Sequence, residues 1–256
     1  SQIKPSPHPR ATPGSSFNLG SLSKEKTKFA SLRNYPKNTD VVVELAYDNP
    51  APFNQGGKDI TDARYNRIRF QHSFLEMPVN DFKPRFDDPR VGFFTQEVDD
   101  LTSNEIVNYR DVINRWHLKK KDPSAALSEP VEPITFWVEN TTPVEYRDIV
   151  KAAGERWNEA FEKAGFKNAV VMKIMPEDAD WDPADIRYNV IRWVSSPYPP
   201  YGAIGPSFVN PKTGQILGSD ITIEWASGAE TPFTDVIQEI GSTTANDLQQ
   251  QIMANM

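Results

Sequence analysis

Cysteine is absent from this 256-residue chain, so disulfides, thiolate metal sites and a cysteine nucleophile are all excluded. Histidine is scarce. The three present, His8, His72 and His117, are dispersed so that no two stand one helical turn apart. A hydrolytic zinc site usually takes two histidines at that spacing and a general base, and no His-Glu-x-x-His occurs. The Gly-x-Ser-x-Gly elbow and the glycine patterns of phosphate and dinucleotide loops are missing as well. No apolar run approaches the roughly 20 residues that a membrane-crossing helix needs, so no membrane span is expected. Nor is there a basic surplus. The net charge is −7, and the run Lys119-Lys120-Lys121 reads as a solvated face, so nucleic acid is not an expected partner. The opening Ser1-Gln2-Ile3-Lys4-Pro5 has neither an initiator methionine nor a signal-peptide pattern, and a piece of a longer protein is expected.

Proline, by contrast, is plentiful at 22 residues, which implies much extended and loop structure. Residues 1–24, rich in Pro, Ser and Gly, read as a flexible arm, with His8 between two prolines as a tail histidine. Residues 25–120 read as a β-rich domain whose core begins near Phe29. Its clearest strands are 40–47, which is β-branched, and 65–74, which alternates over its first half. His72 on the second strand reads as structural. In the loop 82–94, Asp87 and Asp88 with Arg85 and Arg90 read as an ion-paired turn rather than a metal site. Residues 112–118 are read as a strand, although Val112 and Trp116 also fit helical spacing, and alternation places His117 on the wetter face. A proline-punctuated connector, 121–133, carries the expected domain boundary.

Residues 121–256 pattern as an α/β unit. Apolar runs at 134–138, 169–175, 187–194 and 221–225 read as strands, and 143–165 as a long amphipathic helix. Thr142 fits an N-cap, Pro143 the first helical position and Glu145 the third, which together predict a capping box. Ile149, Ala153, Trp157, Ala160, Phe161 and Ala164 form one apolar stripe, and Gly165 supplies the left-handed C-terminal residue. Strand, helix and strand predict a crossover between parallel strands. Asp178, Asp180 and Asp182 alternate as in a calcium loop, but Pro183 holds the glycine position and Asn189 the final glutamate, so caps and turns are expected. Residues 203–209 read as a short extended segment, 210–214 as a hairpin turn, and 215–225 as a returning strand. Two helices are expected after Thr231. The fold class expected is α+β.

Several runs resemble a family of large exported bacterial zinc-dependent metalloproteases whose catalytic domain is similar to metzincins. They are Lys121 to Pro130, Pro133-Ile134, Trp157 to Phe166, Pro176 to Asp180 and Asp185 to Val194. The likeness covers roughly residues 65 to 225. It implies that 121–256 is the mixed-sheet-plus-helix half of a metzincin-like domain, cut before the active-site helix. It further implies a zinc-polarised water in the full-length protein, a peptide or protein substrate, the remaining C-terminal part of the catalytic domain as a partner, and a secreted, periplasmic or cell-surface location. In such enzymes an antiparallel edge strand pairs with the substrate backbone. By position that segment is Gly202, Ala203, Ile204, Gly205, Pro206, Ser207 and Phe208. No residue of this chain takes the place of the zinc ligands or the catalytic glutamate, so this chain alone is not expected to hydrolyse a peptide. The alternative is a non-catalytic peptide- or glycan-binding scaffold that keeps a peptidase-like sheet, with Trp193, Tyr198 and Tyr201 as candidate contacts.

Overall fold

The computed structural model describes residues 19–52, 61–88, 90–196 and 202–225. The class is α+β: strands in several sheets and a helical layer. The chain divides into two compact units between Glu76 and Met77, whereas the composition shift sits near residue 121. Residues 121–130 pack against themselves and against the end of the helical layer. Lys121 N–H donates to Glu129 O at 2.9 Å, and Ser128 bridges to Phe166.

The first unit is an antiparallel sheet in the order β1 (Ser21–Asn34), β2 (Asn38–Asp48), β3 (Tyr65–Leu75). The first strand therefore starts inside the stretch read as an arm. The β-branched run Val41-Val42-Val43 sits in the central strand, where such side chains pack best. Register puts Phe29, Val43 and Phe70 in one row and Leu32, Val41 and His72 in the next, on one face. That face is open: Phe29 is 79% exposed, so it does not begin a core, and His72 is exposed too. The opposite face is polar, with the carboxylates Asp40 and Glu44 buried at its centre.

The second unit opens with a hairpin, β4 (Thr95–Asp99) and β5 (Tyr109–Ile113). β5 ends well before the expected residue 118, because Arg115 turns its backbone to another partner. Its N–H donates to Gly214 O and its carbonyl accepts from Ile216 N–H, both at 2.9 Å. Gly214 has φ +74° and lies so close to Ile113 O that a Cβ there would collide. Arg90 and Asp88 do pair, at 2.6 Å.

The main sheet comes next. β6 (Ile134–Val138), α1 (Val144–Glu155), α2 (Asn158–Lys163) and β7 (Val170–Ile174) form the expected parallel crossover. β8 (Asn189–Val194), β9 (Ala203–Ile204) and β12 (Ile221–Glu224) complete a five-stranded sheet in the order β7-β6-β8-β12-β9. β7, β6, β8 and β12 are parallel; β9 alone is antiparallel, at one edge. Between β9 and β12, β10 (Ser207–Val209) and β11 (Ile216–Ser219) make a separate hairpin around the turn at 210–214. The single strand expected over 215–225 is thus broken at Asp220, where the chain passes from one sheet to the other.

Val138, Val150, Val170, Met172 and Ile191 form the core between helix and sheet, flanked by Phe136, Phe161, Trp193, Ile221 and Ile223. Gly154 lets the helix approach closely, since a Cβ there would fall 2.5 Å from Met172 Sδ. The predicted capping box does not form. Pro143 is itself the N-cap, with ψ 139°, which moves Thr142 one residue outside the helix. Thr142 is buried, and Arg147 binds the Thr142 and Asn140 carbonyls instead. The long helix is also interrupted: i→i−3 bonds tighten the chain at Arg156 and Trp157. The buried stripe is therefore Val150, Ala153 and Gly154, while Trp157, Ala160 and Ala164 are exposed. Gly165 takes the predicted left-handed conformation, φ +89°. The helices expected after Thr231 lie outside the described residues, as do His8, Tyr198 and Tyr201. No described helix is long and apolar enough to cross a membrane.

Candidate functional site

The two edges of the main sheet differ in what meets them. At the β7 edge, Asn158 of α2 acts as a substitute strand. Its Nδ2 donates to Val170 O and its Oδ1 accepts from Val170 N–H, each at 2.9 Å. The β9 edge has no such cover among the described residues. Ala203 pairs with Ile223 and Ile204 with Thr222, and Glu224 N–H donates to Gly202 O at 2.8 Å. Because Gly202 faces β12, strand alternation turns the N–H and C=O of Ala203 outward. Gly202 to Ser207 are exposed, and Ile204 is 49% exposed.

The seven candidate residues do not form one strand. Gly202, Ala203 and Ile204 line the edge of the main sheet. Gly205 and Pro206 are a corner, where Pro206 lacks the N–H needed to continue a ladder. Ser207 and Phe208 belong to the β10–β11 hairpin, facing Ser219 and Gly218. Ser219 ties the corner down by donating its hydroxyl to Pro206 O at 3.0 Å.

Above and below this edge the sheet offers two surfaces. Register places Trp193, Ile223 and Ala203 in one row on the helix side. There Tyr146 of α1 stacks on Trp193 at 5.2 Å and 10°, and Trp225, 44% exposed, lies 5.3 Å from both rings. On the other side Arg192, Thr222 and Ile204 share a row. Arg192 lies 3.8 Å from both Glu139 and Asp220. Glu224 is buried and accepts from Ser196 N–H at 2.8 Å. The sequence flagged Trp193 but held no hint of Tyr146 and Trp225, which are far apart in the chain and meet only through the crossover.

Asp185, in the turn before β8, is 2% exposed and forms a fork with Arg187, Oδ2 to Nη2 at 2.6 Å. Burial works to raise its pKa. The Arg187 side chain, backbone N–H and charge outweigh that and hold the carboxyl below its ordinary value of 3.8. The acidic run before it behaves as turns: Asp182 accepts from Ala184 N–H at 2.8 Å.

Among the described residues no three His, Asp or Glu side chains are grouped to hold a metal. His117 is half-buried rather than on a wet face. It lies 3.2 Å from Asp81 and edge-on to Phe82 at 5.5 Å, and Lys119 also pairs with Asp81. The hydrogen bond from Lys119 is the largest influence holding the Asp81 carboxyl below its usual range.

No curated protein and no solved structure matches the chain. Residues 8–121 match a family model described as a domain of unknown function (DUF5117), a stretch that ends before β6 and so leaves the β9 edge outside it.

Proposed function

We propose that this chain supplies the sheet, backing helix and substrate-pairing edge of a zinc-dependent metallopeptidase of the exported bacterial type, metzincin-like in its catalytic domain. The observation that carries the reading is the antiparallel edge strand β9, open on its outer side among the described residues, on an otherwise parallel five-stranded sheet backed by a helix. An extended peptide adds to such an edge through main-chain hydrogen bonds, which supply affinity without demanding particular side chains. Ala203 offers one outward N–H and one outward C=O for this purpose. The sequence runs at 121–130, 157–166 and 185–194 lend independent support. Zinc and the general base belong, on this reading, to polypeptide other than these residues, the C-terminal part of the same catalytic domain. The substrate is a peptide or protein, and the setting is periplasmic, secreted or cell-surface.

The test joins this chain to its native continuation. Reading the parent gene beyond codon 256 should reveal His-Glu-x-x-His, and the longer protein should cleave an unfolded protein substrate and stop when zinc is chelated. A continuation without the motif, or a zinc-loaded protein that cleaves nothing, rejects the peptidase. The second reading is a non-catalytic peptide- or glycan-binding scaffold, favoured by the aromatic trio Tyr146, Trp193 and Trp225 beside the edge. It predicts binding without cleavage.

A further inference from the structure

Most ion pairs of the first unit match one cation to one acid: Lys26 to Asp48, Arg64 to Asp62, Lys37 to Glu76. Glu44 is the exception. Three cations converge on it from the two flanking strands: Arg69 Nε at 3.0 Å, Arg67 Nη1 at 3.2 Å and Lys28 Nζ at 3.7 Å. The acid is sunk into the sheet, its side chain 6% exposed, whereas the cations stand 62–70% exposed. Three positive charges over one negative leave a surplus of two, and water meets only the positive part. Arg69 commits its Nε to Glu44, so its two terminal nitrogens point onward with no protein acceptor among the described residues, and Arg67 keeps its Nε and second terminal nitrogen in the same state.

We propose that Arg67, Arg69 and Lys28 form an anion site on the polar face of the first sheet, which takes a doubly charged tetrahedral oxyanion, a phosphate or sulfate. Arg67 and Arg69 are alternate residues of one strand, so their stems rise side by side about 7 Å apart. That spacing lets two guanidiniums grip one tetrahedral group from both sides, in the forked geometry arginine favours for phosphate. Glu44 is the positioning residue: bound to all three cations, it holds them on one spot, so less side-chain entropy is lost when the anion arrives. A cavity of about 310 Å³ adjoins the site at Arg67, walled by Ala46, Tyr47, Tyr65, Asn66 and the Lys26–Asp48 ion pair. It gives room for the uncharged part of an ester.

The test tracks the arginine Nε–Hε resonances of the full chain during titration with sodium phosphate and sodium sulfate, against sodium chloride at matched ionic strength. Saturable shifts of Arg67 and Arg69 with the two dianions, and none with chloride, are expected. The double variant Arg67→Gln/Arg69→Gln should bind about tenfold more weakly or worse, as loss of charge-assisted hydrogen bonds requires. Arg69→Lys, which keeps the charge and loses the fork, should fall between. If the double variant does not fold, Arg67→Gln alone carries the reading, because Glu44 retains Arg69. Equal shifts with chloride, or a folded variant that titrates like the parent, would overturn the site. Glucose 6-phosphate forms a further arm: tighter binding than inorganic phosphate points to an ester as the natural source, and equal or weaker binding to the free anion.

Discussion

One sheet has two edges, and they are finished in different ways. At β7 the chain itself caps the start of the edge. Asn158 takes both backbone groups of Val170, and α1 lies so close to the sheet that a Cβ on Gly154 would press on the Met172 side chain. At β9 the strand is two residues long, runs against its neighbours and turns Ala203 to the outside. Exposed edges invite pairing with other chains, and proteins usually cover or shorten them. Here one edge is capped at its first residue, Val170, and the other is only shortened. The contrast separates an edge whose first outward pair of backbone groups is already bound from one whose outward pair, at Ala203, is not.

The contrast breaks most severely at the capped edge. Gly154→Leu should cost about 3 kcal/mol, since Met172 is 3% exposed and has little room to move aside. Urea denaturation would register this as a fall in midpoint with an unchanged slope. Asn158→Ala should rank second, at about 1–3 kcal/mol, by leaving the buried Val170 N–H and C=O without partners. This variant also opens the β7 edge. Amide exchange at Val170 should then accelerate toward the rate at Ala203, and a Val170 amide that stays protected would show that Asn158 is not what closes it.

A change in the shared centre should leave the contrast intact. Asp185 and Arg187 shape the turn into β8, which lies between the two edges. The Asp185 carboxyl titrates below its ordinary 3.8 in the folded chain. Its contribution is therefore fully present above that value and is lost as pH falls through the lower, folded value. Asp185→Asn should flatten that acid limb of the stability curve and cost about 1 kcal/mol at neutral pH. An acid limb as steep in Asp185→Asn as in the parent would assign the effect to another carboxylate.

Sequence alone made the strands of the main sheet legible because each is a short apolar run bounded by turn residues. Residues 134–138 and the turn at 210–214 came out as read. What stayed hidden depends on partners distant in the chain. Thr142 has the local signature of a cap, yet the ψ of Pro143 moved the helix start past it. Asp220 sits in an apolar-rich run that looks continuous, and only the two sheets on either side break it. Asn158 is an ordinary polar residue in a helical pattern until Val170 lies beside it. Phe29 reads as core because apolar strand residues usually are, but a three-stranded sheet has two faces, and its apolar face is open. The seven residues read as one edge segment divide between two sheets, and that division comes from Pro206, whose missing N–H ends one ladder before the next begins.

The smallest effect on stability should be the most informative about function. Ala203→Pro removes only the outward N–H, because the bonds to β12 run through Gly202 and Ile204. Proline is tolerated on an edge strand when its nitrogen faces solvent, so the change should stay within about 0.5 kcal/mol. An extended peptide pairing with this edge would nevertheless lose a main-chain hydrogen bond and clash with the ring. Ile204→Pro is the control: it strikes the inward side, weakens β9 against β12, and should destabilise more. In the longer protein, the peptidase reading requires Ala203→Pro to lower substrate turnover while leaving the denaturation midpoint in place. Unchanged turnover in that variant would remove β9 from substrate binding and leave its antiparallel edge as a purely structural finish to the sheet.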